Sequence, residues 1–224
     1  MAAHRLFILA ALVLLATLTG GAQSASQDFR AEFWTDLDMM PVKGEPYPLP
    51  ETLAASRLLD EAAWVYSGMI EGFSFEWTPE NKGRQIKESF VLGAAAAIPK
   101  GDPRLVPGAP TRSETRLSAW IDFRPDASDL LFLESSQSPD WKSGQGRGMA
   151  PRSEGFSGRR AAYVAAAKAA LEAWARSTEA TRPRKIGGRL VFASVPLVAV
   201  ENDSWVVTAR LRLEILDVER WSIF

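Results

Sequence analysis

The sequence predicts an α+β protein: an antiparallel sheet of about five strands with two long helices packed on one of its faces. Three observations carry that prediction. Apolar residues recur at three- and four-residue spacing through residues 51–72 and again through 158–179, as one face of a helix requires. They alternate with period two through 73–77, 117–123 and 205–215, as a half-buried strand requires. A tight turn over 201–204 joins the last two strands into a hairpin, which makes them antiparallel. Helix followed by hairpin occurs twice along the chain, the order a duplicated helix-hairpin unit would give, although the two halves share no residue pattern.

Residues 1–25 read as a cleaved secretory signal peptide. His4 and Arg5 give a basic start, residues 6–18 form a charge-free apolar run, and Gly20, Gly21, Ala22, Ser24 and Ala25 supply the small side chains a signal peptidase needs. A permanent anchor takes about 20 apolar residues to cross the hydrocarbon core, and this run falls short. With no cysteine in the chain, the protein is not a lipoprotein and no disulfide supports its fold. The expected location is the periplasm or the extracellular space, with no transmembrane span after cleavage.

Residues 26–50 are expected to form an N-terminal arm and a proline-rich linker ahead of a single domain at 51–224. Phe29, Phe33 and Leu37 lie four apart, which predicts a short amphipathic helix over 27–38. Pro41, Pro46, Pro48 and Pro50 then hold the chain extended, and Pro50 suits a helix start, where its missing N–H is no loss. The helix over 51–72 carries Leu58, Ala62, Tyr66 and Met69 on its apolar face, and Gly72 ends it. Phe73, Phe75 and Trp77 predict a strand. A turn follows over 79–84, and residues 85–98 return with Ile86, Phe90 and Leu92 in phase. Four prolines make 99–113 a long loop. Leu117, Ala119, Ile121 and Phe123 alternate with Ser118, Trp120 and Asp122 to give a third strand, and 130–133 fit a short strand or a helical turn equally.

Residues 136–158, rich in glycine, serine and arginine, read as a second long loop, and such a stretch is mobile or functional. The alanine-rich helix over 158–179 presents Val164, Ala167, Leu171 and Trp174 as its stripe. Arg182, Arg184 and Lys185 lie beyond its end, where positive charge complements the helix dipole. Strands over 189–200 and 205–218 close the chain.

Loss of the signal peptide removes His4, the one histidine. Nucleophilic mechanisms that depend on histidine or a thiol are thereby excluded, and transition-metal sites lose their usual ligands. Carboxylate chemistry, such as a glycosidase pair, or a serine-lysine arrangement survives. Asp36 with Asp38 and Asp60 with Glu61 are the acidic pairs, but neighbours one apart on a helix do not face one substrate. Gly144, Gly146 and Gly148 superficially suggest a phosphate-cradling loop, yet no apolar strand precedes them and the helix begins too late. No catalytic residue, metal or cofactor is assigned.

Charge is segregated along the chain. Residues 26–61 hold eight acids against three bases, and residues 142–189 hold eleven bases against three acids. Such a pattern reads as internal pairing or as a polyanion-binding face. Lys142, Arg147, Arg152, Arg159 and Arg160 are therefore the candidate contacts for an anionic surface or an acidic partner. Trp120, on the polar side of its strand, and Trp141, in the second loop, are the candidate stacking surfaces, whereas Trp64, Trp77, Trp174 and Trp205 sit at or beside core positions. The expected function is a non-enzymatic secreted or periplasmic domain that binds a cell-envelope partner, either a protein or an anionic surface. The alternative is a carbohydrate-binding module or a carboxylate-based glycan hydrolase. Nucleic acid is not an expected target outside the cytoplasm.

Overall fold

The C-terminal half of α1 (Glu51–Ile70) is buried on nearly every side, so it has to be covered on nearly every side, and the molecule is organised around it. The computed structural model describes residues 28–94, 97–99 and 101–221, so residues 1–25, read above as a signal peptide, lie outside the described residues. Leu58, Ala62, Val65, Tyr66, Met69 and Ile70 of α1 are all buried. A four-stranded sheet packs on this helix: β1 (Phe29–Asp36), β6 (Arg116–Phe123), β4 (Leu105–Pro107) and β5 (Thr111–Arg112), with the Tyr66 hydroxyl donating to the Ile121 carbonyl at 2.5 Å. A second sheet, curled into a half-barrel, runs in the order β3 (Ser89–Ala94), β2 (Phe73–Thr78), β8 (Lys185–Phe192), β10 (Ser204–Glu219) and β7 (Lys142–Pro151), and β9 (Leu197–Glu201) also pairs with β10. Trp64 of α1 meets that sheet through Phe73 and Phe192, with ring centroids 4.8 and 5.6 Å apart.

The class is thus α+β with antiparallel sheets, as expected. The single sheet with two helices on one face gives way, among the described residues, to two sheets and three α-helices: α1, α2 (Ala127–Ser136) and α3 (Gly155–Thr178). The strands β2 and β6 bury the residues their alternation marked, and β10 does so from Trp205 to Leu213, with Ile215 half-buried. The first strands after α1 and α3, β2 and β8, pair with each other.

Several elements differ from their sequence reading, each for a physical reason. The helix expected over 27–38 is strand β1. A spacing of four is an even number and fits one strand face as well, and β1 buries Ala31, Phe33 and Thr35 while Arg30 and Glu32 face outward. Residues 130–133 belong to α2, whose start is fixed by Asp126, which accepts from the N–H groups of Ser128 and Asp129. The loop at 99–113 holds the short strands β4 and β5. The strand expected over 189–200 is two strands, β8 and β9, that lie on the same edge of β10 and are separated at 193–196.

The largest correction concerns 136–158, which is a ten-residue strand and the start of a helix rather than a loop. Gly144, Gly146 and Gly148 alternate along β7 and leave its inner face without side chains, so α3 can lie directly on the strand backbone. A Cβ added at Gly146 would sit 2.0 Å from the Ala166 carbonyl oxygen, and one at Gly148 would sit 2.2 Å from that of Ala162. Glycine hides a strand from propensity because it has no side chain to alternate. Correspondingly, the buried face of α3 is Ala162, Ala166 and Ala170 with Tyr163, Ala167 and Leu171, while Val164 and Trp174 are only half-buried.

Candidate functional site

A carboxylate in the middle of a buried helix is costly unless it is paired. Glu61 of α1 is 3% exposed, and two groups from α3 satisfy it. Arg159 Nε donates to Glu61 Oε1 at 2.8 Å, and the Tyr163 hydroxyl donates to the same oxygen at 2.6 Å. Arg159 and Tyr163 are four residues apart, so α3 presents them on one face. Arg159 is itself 3% exposed and continues to β1, where Nη1 donates to the Trp34 carbonyl at 2.6 Å. Its guanidinium lies 4.8 Å from the Trp34 ring and 5.1 Å from the Trp205 ring, within cation–π range. Burial first, and then the Glu61 charge, push the Tyr163 phenol well above its ordinary value, so it stays protonated and donates.

A second pairing locks the end of β1. Asp36 accepts from Arg152 Nη2 at 2.7 Å, and Arg116 Nε stands 3.5 Å from its other oxygen. Arg116 also covers the Trp34 ring at 3.9 Å. Asp36 with Arg152 and Glu61 with Arg159 join the acidic stretch of the sequence to its basic stretch. To that extent, the segregated charge is internal pairing.

The candidate contacts separate accordingly. Arg152 and Arg159 are spent on buried carboxylates. Arg160 lies against Trp64 with its guanidinium 4.0 Å from the ring. Arg147 pairs at the surface with Glu201 at 2.5 Å, and Lys142 Nζ donates to the Pro139 carbonyl at 2.9 Å. These five cations do not come together as one free basic face. Trp141 is 6% exposed and stands edge-on to Phe132, so it is a packing residue where a stacking surface was expected. Trp120 is 48% exposed, with the Arg30 guanidinium 5.3 Å from its ring. The acidic pairs are also occupied: Asp36 and Glu61 hold arginines, and Asp38 accepts from the Tyr47 hydroxyl at 2.6 Å.

Trp120 borders a cleft of about 380 Å³. Residues 31–34 of β1 form one wall, residues 195–198 leading into β9 form another, and Arg159 and Tyr163 lie between them. The lining is apolar apart from the paired floor and Glu32, which is exposed and has no partner among the described residues. Leu197, on the β9 side, is 75% exposed. A comparable cavity of about 410 Å³ beside Phe29, Met69 and Phe192 is closed on one side by Arg212, which donates to the Ser136 and Ser138 carbonyls. Sequence reasoning missed Trp34, Leu197 and Glu32. Their one available signal was the run Leu-Val-Ala-Val at 197–200, which is apolar on both faces where a half-buried strand would alternate.

A domain family of unknown function matches residues 17–221, and the chain belongs to that family. A protein of Treponema pallidum (strain Nichols), described only as uncharacterized, is 25% identical over 175 residues, covering 78% of this chain and 74% of that protein. No solved structure matches.

Proposed function

We propose that this member of the family is a secreted or periplasmic domain that binds a protein of the cell envelope in the cleft between β1 and β9, and that it does so without catalysing a reaction. One observation carries the reading: two large apolar side chains, Trp120 and Leu197, are exposed at a single cleft whose buried charges are already paired. Exposed apolar surface gathered at one concavity marks an interaction site, whereas the same residues scattered singly would need no explanation. The engagement of Arg147, Arg152 and Arg159 with carboxylates favours a protein over an anionic surface. Export rests on the signal peptide read at residues 1–25, and no helix among the described residues is long and apolar enough to cross a membrane.

A photo-crosslinking amino acid at position 197, introduced in intact cells, tests the reading. A discrete protein adduct is expected from position 197, lost with Trp120→Ala and absent when the crosslinker replaces the exposed Leu216. Identical adducts from both positions, or none from either, would overturn it. A glycan-binding module is the second reading, carried by the open Trp120 ring with the Arg30 guanidinium 5.3 Å from it. Saturable quenching of tryptophan fluorescence by an oligosaccharide, abolished by Trp120→Ala, would favour that reading instead.

A further inference from the structure

We infer that the cleft takes an extended polypeptide, which adds as a strand to the free edge of β9 and places a basic residue opposite Glu32; this rests on the cleft being a protein-binding site. The backbone geometry comes first. The β9–β10 hairpin closes through Asn202 and Asp203, both at positive φ, with Glu201 opposite Ser204. A two-residue hairpin of this kind hydrogen-bonds its closing pair, so residues 197, 199 and 201 spend their N–H and C=O on β10. Val198 and Val200 turn theirs the other way. The same reasoning applies to β1: the Trp34 carbonyl is taken by Arg159 rather than by β6, so the even-numbered residues of β1 point away from β6. Glu32 therefore presents a free N–H and C=O. Among the described residues, neither edge pairs with another strand.

Residues 31–34 and 195–198 line the same cleft, so backbone donors and acceptors border it from both sides. An occupant able to satisfy them needs alternating donors and acceptors of its own at strand spacing. A polypeptide has them; a lipid chain does not, and a glycan does not offer that spacing. Exposed strand edges are ordinarily blunted by charge, proline or a covering element. The outer edge of β7 carries Lys142, Arg147 and Pro151, and that of β1 carries Arg30 and Glu32. On β9, Pro196 precedes the strand and Glu201, paired with Arg147, ends it, but residues 197–200 between them have no charge and no proline, which leaves that stretch of edge able to pair. Charge then selects the partner. Arg116 and Arg159 beside Trp34 already have carboxylates, whereas Glu32 does not, so the residue facing it in the occupant is a lysine or an arginine.

The test uses acetylated pentapeptide amides with valine at the first, third and fifth positions and lysine, glutamate or serine at the second, titrated against the full chain by tryptophan fluorescence. Saturable binding is expected for the lysine peptide, at least tenfold weaker for the glutamate peptide, with that order reversed in Glu32→Lys. Methylation of the peptide's backbone nitrogens should abolish binding. Val198→Pro, which removes an outward N–H while sparing the ladder to β10, should do the same, whereas Val198→Thr retains it; circular dichroism checks that both fold. Failure of every peptide to bind, or binding indifferent to Glu32→Lys and to Val198→Pro, overturns strand addition. If the protein adduct from position 197 persists in Val198→Pro, the protein-binding reading survives and only the strand-addition mode fails.

Discussion

β7 and β9 pair with the same five residues of β10 from opposite edges, Ser204 to Thr208, yet the two strands are treated in opposite ways. β7 has glycine at 144, 146 and 148 and is pressed there against the alanine face of α3. β9 is Leu-Val-Ala-Val-Glu and has a cleft beside it instead of a helix. If apolar burial within the chain were the only consideration, the strand with more apolar side chain would be the one covered. β7 is thus built for the closest possible helix contact, whereas β9 leaves Leu197 and Ala199 exposed, the surface that the proposed partner would cover.

The comparison can be broken at its floor first. Glu61→Ala leaves Arg159 buried without its carboxylate and should cost about 3–5 kcal/mol, the usual loss when one partner of a buried pair is removed, measured as a fall in the urea midpoint. Gly148→Ala should cost about 3 kcal/mol, because the added Cβ meets backbone of α3 that cannot rotate away as a side chain would. The matching change on the other strand, Leu197→Ser, should alter stability by less than about 0.5 kcal/mol, since the side chain is largely in solvent, while weakening partner binding. A large loss from Leu197→Ser would mean that β9 supports the fold and the contrast with β7 is false.

The smallest effect is spectroscopic. The chain has three tyrosines, and burial holds the phenols of Tyr66 and Tyr163 far above the ordinary value, while Tyr47 is raised mainly by its bond to Asp38. A phenol whose folded-state pKa is raised stabilises the fold fully below the unfolded value of about 10, and that contribution is lost as the pH climbs through the folded value. One phenolate should therefore titrate reversibly by near-ultraviolet absorbance, with the other two appearing only as the chain unfolds. Three phenolates titrating together in the folded protein would show that the floor of the cleft is open to water.

How much was legible in the sequence follows from where polar residues fall. β2, β6 and the inner part of β10 carry a polar side chain at nearly every second position, so period two shows their buried faces directly. β1 was ambiguous because Phe29, Phe33 and Leu37 share a face in either conformation. β7 was invisible because its register is written in absent side chains, and only the presence of α3 gives those absences meaning. The candidate site was half legible for a related reason. Trp120 stood out as a tryptophan on the polar side of an alternating strand, and Arg159 as a base in a basic run. The role of Arg159 depends on Glu61, 98 positions away, and on a Trp34 carbonyl 125 positions away, which no local pattern reports. Leu197 and Glu32 acquire significance only once the sheets place 31–34 and 195–198 at one cleft.

Amide hydrogen exchange at 197–200, read residue by residue with and without the lysine pentapeptide, tests the central claim most directly. Slow exchange is expected at Leu197 and Ala199 in the free chain, fast exchange at Val198 and Val200, and selective slowing of those two when the peptide binds. Protection of Val198 and Val200 in the free chain, or bound peptide that leaves their exchange unchanged, would contradict it.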